Sequence, residues 1–434
     1  MSRRTLVGLC WLALAAALAF AATPASEVIA IKGARIVPAV GDDIPSGTIV
    51  IRNGLIDAVG PDVPVPAGAR IIDATGLIAY PGLIDGYSFL GLSEISGVAA
   101  TVDSRESGRI NPQVRSVEAL RYDSMHIPIS RSNGVTAALV APSGGLISGM
   151  SCLVKLDGWT HREMVLKAPA ALHVELPSIR GGRGGFMGRG MAGQPRVETP
   201  QALEELKAIF AKARAYEKRR AYADRQTILG LPDFDEAAQA LLPVLRGEVP
   251  VMISVHADKD IKLAIDFVKA ENLKAIFFGV EQGWKVAADI GKAGIPCVMG
   301  SLYDLPPSFE DGYDALFRNP GELAAAGVKI AFASVSSSTA KDLPYHAAKA
   351  AAFGLDRREA LRAVTINPAQ IFGLDKALGS LEKGKTATIV LADNDILEFR
   401  ANIKHVFING RETDLSNRYT ELLEKFKKRE TEEK

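Results

Sequence analysis

Imidazole is the side chain that both binds divalent metals and moves protons near neutral pH, so the histidines come first. The chain has six, His126, His161, His173, His256, His346 and His405, with no i, i+4 pair and no other short ligand spacing. Metal or acid–base chemistry would therefore need donors gathered from distant parts of the chain. His256 ends the apolar run Val249-Pro250-Val251-Met252-Ile253-Ser254-Val255, which places it at the mouth end of a strand. His173 lies in a second strand-like segment, Leu172-His173-Val174-Glu175. An ordinary hydrogen-bonded role is the simpler reading for each of them, because one imidazole alone holds no metal against water.

The elements that would position these groups alternate. Between about residues 80 and 375, strand-like runs (134–142, 249–256, 275–279, 295–299, 328–333) are separated by helix-like ones, among them Asp260 to Val268 and a helix through Trp284 and Ile290. Such alternation argues for βα units and an α/β fold, with a TIM (β/α)8 barrel as the economical closure. Before it, residues 26–79 read as short strands broken by turns, with Asn53-Gly54 as a type I′ hairpin signal. The stretch from Ile78 to Leu90 joins the two parts, and its period of two sets Tyr87 and Phe89 on one face of a buried strand.

Two segments exceed a minimal barrel. Arg180 to Gly190 is rich in glycine and arginine, and a helix from about Thr199 to Asp224 follows it, bearing Lys207, Lys212, Arg214, Lys218, Arg219 and Arg220. A single Phe and the lack of a repeat speak against an RNA-binding tract, so about 178–230 reads as a lid insertion with a solvated basic helix face.

With 51 basic and 50 acidic residues, no overall field favours nucleic acid or an anionic surface. Residues 1–25 have the form of a cleaved signal peptide: Arg3-Arg4, an apolar run from Leu6 to Phe20, then small residues. The run is short for a membrane span, so the expectation is a periplasmic or secreted protein without stable membrane insertion. Whether export is general or twin-arginine stays open, as does a disulfide between Cys152 and Cys297, the two cysteines beyond the signal.

The residues Pro81-Gly82-Leu83-Ile84-Asp85 resemble the opening of the first barrel strand in the amidohydrolase superfamily, and the similarity, nearest to imidazolonepropionase-like members, extends along most of the chain. Ala363-Val364-Thr365-Ile366-Asn367-Pro368-Ala369 and Gly379-Ser380-Leu381-Glu382-Lys383-Gly384-Lys385 carry it further, while Thr388 departs from a family aspartate. The resemblance implies a (β/α)8 barrel over 80–375 and a composite β-sandwich made by both chain ends, 26–79 with 376–434. It also implies a binuclear metal site at the barrel mouth that hydrolyses carbon–nitrogen bonds.

Most of that implied site is missing. The two strand-one histidines of the family fall on Tyr87 and Phe89, the strand-eight aspartate on Val335, and no imidazole stands near 278–281. His256 alone keeps a ligand position, with Lys167, His173 and Glu175 as further candidates for the mouth. The expectation is a protein with no cofactor, acting as a non-catalytic subunit or ligand-binding partner of a related amidohydrolase in a homo- or hetero-oligomer. The alternative is an active hydrolase of non-peptide carbon–nitrogen bonds, cyclic amides or dipeptide-like compounds, with a divalent metal such as zinc.

Overall fold

Asn53 and Gly54 both take positive φ, 53° and 79°, and turn β2 (Ile44–Arg52) into β3 (Leu55–Gly60) with Arg52 opposite Leu55. That is the two-residue hairpin whose twist matches the flanking strands. The computed structural model to which it belongs describes residues 27–177, 198–225 and 233–432. The proposed signal peptide and the glycine- and arginine-rich stretch lie outside the described residues.

The two ends of the chain share one eight-stranded sheet. β1 (Ile29–Ile36) lies between β2 and the parallel strands β4 (Arg70–Asp73) and β5 (Ile78–Pro81), and β5 pairs antiparallel with β16 (Ile389–Ala392). β17 (Ile403–Ile408) and β18 (Arg411–Glu412) complete that edge. Its core is aliphatic, with Ile29, Ile31, Ile49, Ile51 and Leu391 packed around Phe407. Beyond β18 the chain forms a helix, Arg418–Glu432.

At Gly82 the chain leaves this sheet. The Ile78–Leu90 stretch is two strands, because β5 belongs to the end domain while β6 (Leu83–Ser88) starts the central one. A Cβ at Gly82 would lie 2.1 Å from Thr136 Oγ1, so only glycine fits the crossing.

The central domain holds two mixed sheets. One contains β6, β7 (Val135–Val140), β9 (Cys152–Lys155) and β10 (Val165–Lys167). The other runs from β8 (Ile147–Met150) through β11 (Leu172–Glu175), β12 (Val251–Val255), β13 (Ala275–Gly279) and β14 (Cys297–Met299) to β15 (Ile330–Phe332). Strands β11 to β15 are parallel, as are β6 and β7, whereas β8, β9 and β10 run antiparallel to their neighbours. The departure from an all-parallel series has a simple cause: the link from β7 to β8, residues 141–146, is too short for a helical crossover, so the chain turns back and runs on through β8 into β9.

Side chains from both sheets meet in one apolar interior that includes Tyr87, Leu139, Leu153, Met252, Phe278 and Val298. At Gly86 a Cβ would stand 2.9 Å from Phe332 O, so the bare glycine lets β6 approach β15, and Val335 N donates to Tyr87 O at 3.0 Å. Helices cover the outside. The Thr199–Arg225 helix is one of them: Leu206, Phe210, Ala213 and Tyr216 are buried in the outer core, and Arg214 grips Glu271 at 2.6 Å. Of the segment read as a lid, the helical part is therefore packed as an outer-layer helix between β11 and β12. Its basic row is also partly neutralised, by Lys207–Glu204 and Lys212–Asp235 pairs.

Candidate functional site

The parallel strands end at a common mouth, and His256 stands there, one residue beyond β12. Its Nδ1 lies 2.6 Å from Glu281 Oε2. The chain after β13 makes that contact by turning sharply: Gly279 and Val280 take φ of 91° and 55°, Val280 N donates to Val255 O, and Gln282 N donates to His256 O. A Cβ at Gly279 would sit 2.8 Å from His256 Nδ1, so the glycine makes room for the ring. Burial disfavours the charged imidazole, but the Glu281 carboxylate outweighs it and the pKa of His256 is raised. Replacing Glu281 with glutamine should leave burial in command and move the His256 midpoint from above the ordinary 6.5 to below it, read by NMR titration of the ring protons. An unchanged midpoint would show that the pair does not form.

The resemblance implies an imidazole near 278–281, and the carboxylate Glu281 stands there instead. Its signal was a carboxylate two residues past the end of a βα strand, opposite a strand-end histidine.

Tyr87 fills the floor of the mouth. It is buried and stacks on Phe278 with ring centroids 4.2 Å apart, and it meets Phe89 and His173 edge-on at 5.6 Å each. Phe89 lies just past β6 and packs against the same cluster. Val335 takes φ of 63°, a rare conformation for a β-branched residue, and turns its side chain into the same apolar interior.

His173 is 2% exposed, and its Nε2 has no hydrogen-bond partner. Burial pushes its pKa down to about 3, so it is a neutral ring. Two residues on, Glu175 accepts from Gly144 N at 2.7 Å and from Ser148 Oγ at 3.3 Å, which makes it an anchor for the segment 144–148 between β7 and β9. Lys167 is elsewhere. Its ammonium donates to Phe372 O at 2.8 Å and feels Lys274, which precedes β13, so it lies at the opposite end of the strands from His256. The other histidines are dispersed: His126 bonds Glu94 O, His346 Nδ1 accepts from Leu302 N, and His405 pairs with Glu412. Cys152 and Cys297 are both free and buried.

Beneath the mouth lies a carboxyl that sequence reasoning used only as a motif letter. Asp85 is fully buried and accepts from Tyr87 N at 3.2 Å and Ser334 N at 3.0 Å, with Ser334 Oγ 2.5 Å from its second oxygen. Ser334 Oγ also stands 3.1 Å from Ser336 O. A hydroxyl has one proton, so both contacts are hydrogen bonds only when Asp85 carries a proton of its own and donates it to Ser334. This agrees with a pKa raised to about 7 by burial, against the opposing hydrogen bonds of Ser334 and Tyr87.

A divalent metal does not fit this constellation. Among the described residues no three His, Cys, Asp or Glu side chains converge at ligand spacing. The arrangement can hold a proton on a carboxylate-paired imidazole and present an aromatic floor.

The two chain ends share one sheet beside an α/β central domain, and a histidine stands at the end of its parallel strands. Residues 281–413 match the amidohydrolase family model. An amidohydrolase of Hapsidospora irregularis, tasK, is 25% identical over 84% of this chain, and an imidazolonepropionase of Symbiobacterium thermophilum is 24% identical over 80% of it and 84% of its own length. The crystal structure of an amidohydrolase from Thermotoga maritima shares the fold, with a TM-score of 0.80 at 23% identity over 89% of this chain and 99% of that one. This chain belongs to the amidohydrolase superfamily. It spans 39% of the tasK protein and 58% of an adenine deaminase from Desulforamulus reducens that is 24% identical to it.

Proposed function

We propose that this protein is an exported member of the superfamily that keeps the (β/α)8 scaffold, closed where β6 meets β15, and has given up the binuclear metal centre. It works as a ligand-binding or non-catalytic subunit beside a metal-competent relative. One observation carries the reading: Tyr87 is stacked on Phe278 where strand-one ligands would be, while the one strand-end imidazole is held by Glu281. Zinc needs three or four placed donors, and a single imidazole does not supply them. Export rests on the signal-like residues 1–25.

Elemental analysis of the purified mature protein tests this directly. The expected content is far below one equivalent of zinc, with no calorimetric signal for added zinc that His256→Ala abolishes. One or two equivalents, lost in His256→Ala together with amide or lactam hydrolysis, would establish the rival reading of an active carbon–nitrogen hydrolase. That rival draws its support from the His256–Glu281 pair, a workable proton carrier.

A further inference from the structure

The Arg418–Glu432 helix leaves one apolar face uncovered. Tyr419, Leu423 and Phe426 recur at i, i+4 and i+7 and are 53%, 54% and 56% exposed, with Leu422 half-buried beside them. At roughly 100° per residue, Arg418 and Lys425 fall in a row along one flank of that stripe, while Glu421 and Glu424 fall on the far side of the helix.

The root of the helix is tied down. Asn417 Nδ2 bonds Ser132 Oγ, Arg131 reaches Asp414 O at 2.9 Å, and Arg411 reaches Asp157 at 2.7 Å. The last of these contacts brings Trp159, two residues past Asp157 and 80% exposed, to the same end of the molecule.

We infer that this helix docks in the plane of an anionic phospholipid surface, with Tyr419, Leu423 and Phe426 at the headgroup–acyl boundary and Arg418 and Lys425 on the headgroups. A polar helix of low mean hydropathy with a strong apolar face and basic flanks is the pattern that lies in such an interface. Tyr and Trp favour the headgroup level because one end of each ring system is apolar and the other is wet. Among the described residues no helix is long and apolar enough to cross a membrane, so the contact is in-plane.

A second copy fits less well. Three half-exposed side chains offer about 100 Å² of apolar surface each, or about 600 Å² for a pair of helices, against the roughly 1,200 Å² of a stable interface. Antiparallel pairing would also set the Arg418 and Lys425 flank against itself.

Co-sedimentation of the full mature chain with vesicles tests the inference. Binding is expected to phosphatidylcholine vesicles that contain phosphatidylglycerol, and at least tenfold weaker binding to phosphatidylcholine alone. Leu423→Ser with Phe426→Ser, and separately Arg418→Glu with Lys425→Glu, should each weaken it roughly tenfold or more while leaving the melting temperature unchanged. Three results would overturn the proposal. One is no binding to either vesicle; another is equal binding to both that the variants do not alter. The third is a concentration-dependent dimer, seen by light scattering, that the stripe variant abolishes.

Discussion

Asp85→Ala is expected to destabilise the fold by about 3 kcal/mol or more, because it strands the amides of Tyr87 and Ser334 and the Ser334 hydroxyl in a site closed to water. These are the bonds that fasten β6 to the segment after β15, so the loss falls on the closure of the central domain. Asp85→Asn keeps an acceptor and loses only the titration. In the wild type the buried carboxyl is held up to about 7 against 3.8 in its ordinary range, so the folded state binds the proton more tightly than the unfolded chain. Its contribution is therefore complete below about pH 4 and is lost as pH rises towards 7, a difference on the order of 4 kcal/mol at full burial. Urea unfolding across that range should show Asp85→Asn gaining on the wild type as pH rises. Parallel pH profiles for the two proteins would show that Asp85 is ionised throughout and the proton chain to Ser336 is wrong.

Tyr87→Ala is expected to cost roughly 3 to 5 kcal/mol, the range for emptying a buried aromatic position. The ring stacks on Phe278 and meets His173 and Phe89 by their edges, so its removal unseats three neighbours at once. A double-mutant cycle with Phe278→Ala should return a coupling of about 1 kcal/mol for the stacked pair. Denaturant midpoints measure both. A loss below about 1 kcal/mol would mean that Tyr87 lies against water, with room in the mouth for cations after all.

On the proposed reading, function and stability exchange places at this residue. Where a metallohydrolase needs donors held apart around an open, hydrated space, this mouth has rings in contact, and His256 has a carboxylate partner in place of fellow ligands. The pairing raises the affinity of His256 for a proton, which competes with any metal for the same ring.

The sequence by itself determined the local structure and much of the site's chemistry. Asn53-Gly54 could only turn a hairpin, since both positions need positive φ. The apolar run to Val255 had to be a buried strand with His256 at its end, and the residue types at 87, 89 and 335 excluded imidazole or carboxylate there whatever the fold. Tertiary structure decided the rest, because the deciding contacts join residues far apart in the chain. Glu281 reaches His256 only because Gly279 and Val280 turn the end of β13 towards β12. The pKa of Asp85 is held up to about 7 only because the packed fold buries the carboxyl, beside Ser334 from 249 positions away and against the opposing hydrogen bonds that Ser334 makes to it. Lys167 lies away from the mouth because β10 leads into the start of β11, both running antiparallel to the β8–β9 stretch, so its ammonium sits at the end where the parallel strands begin. Strand direction, burial and desolvation are properties of the packed chain, and no window of sequence contains them.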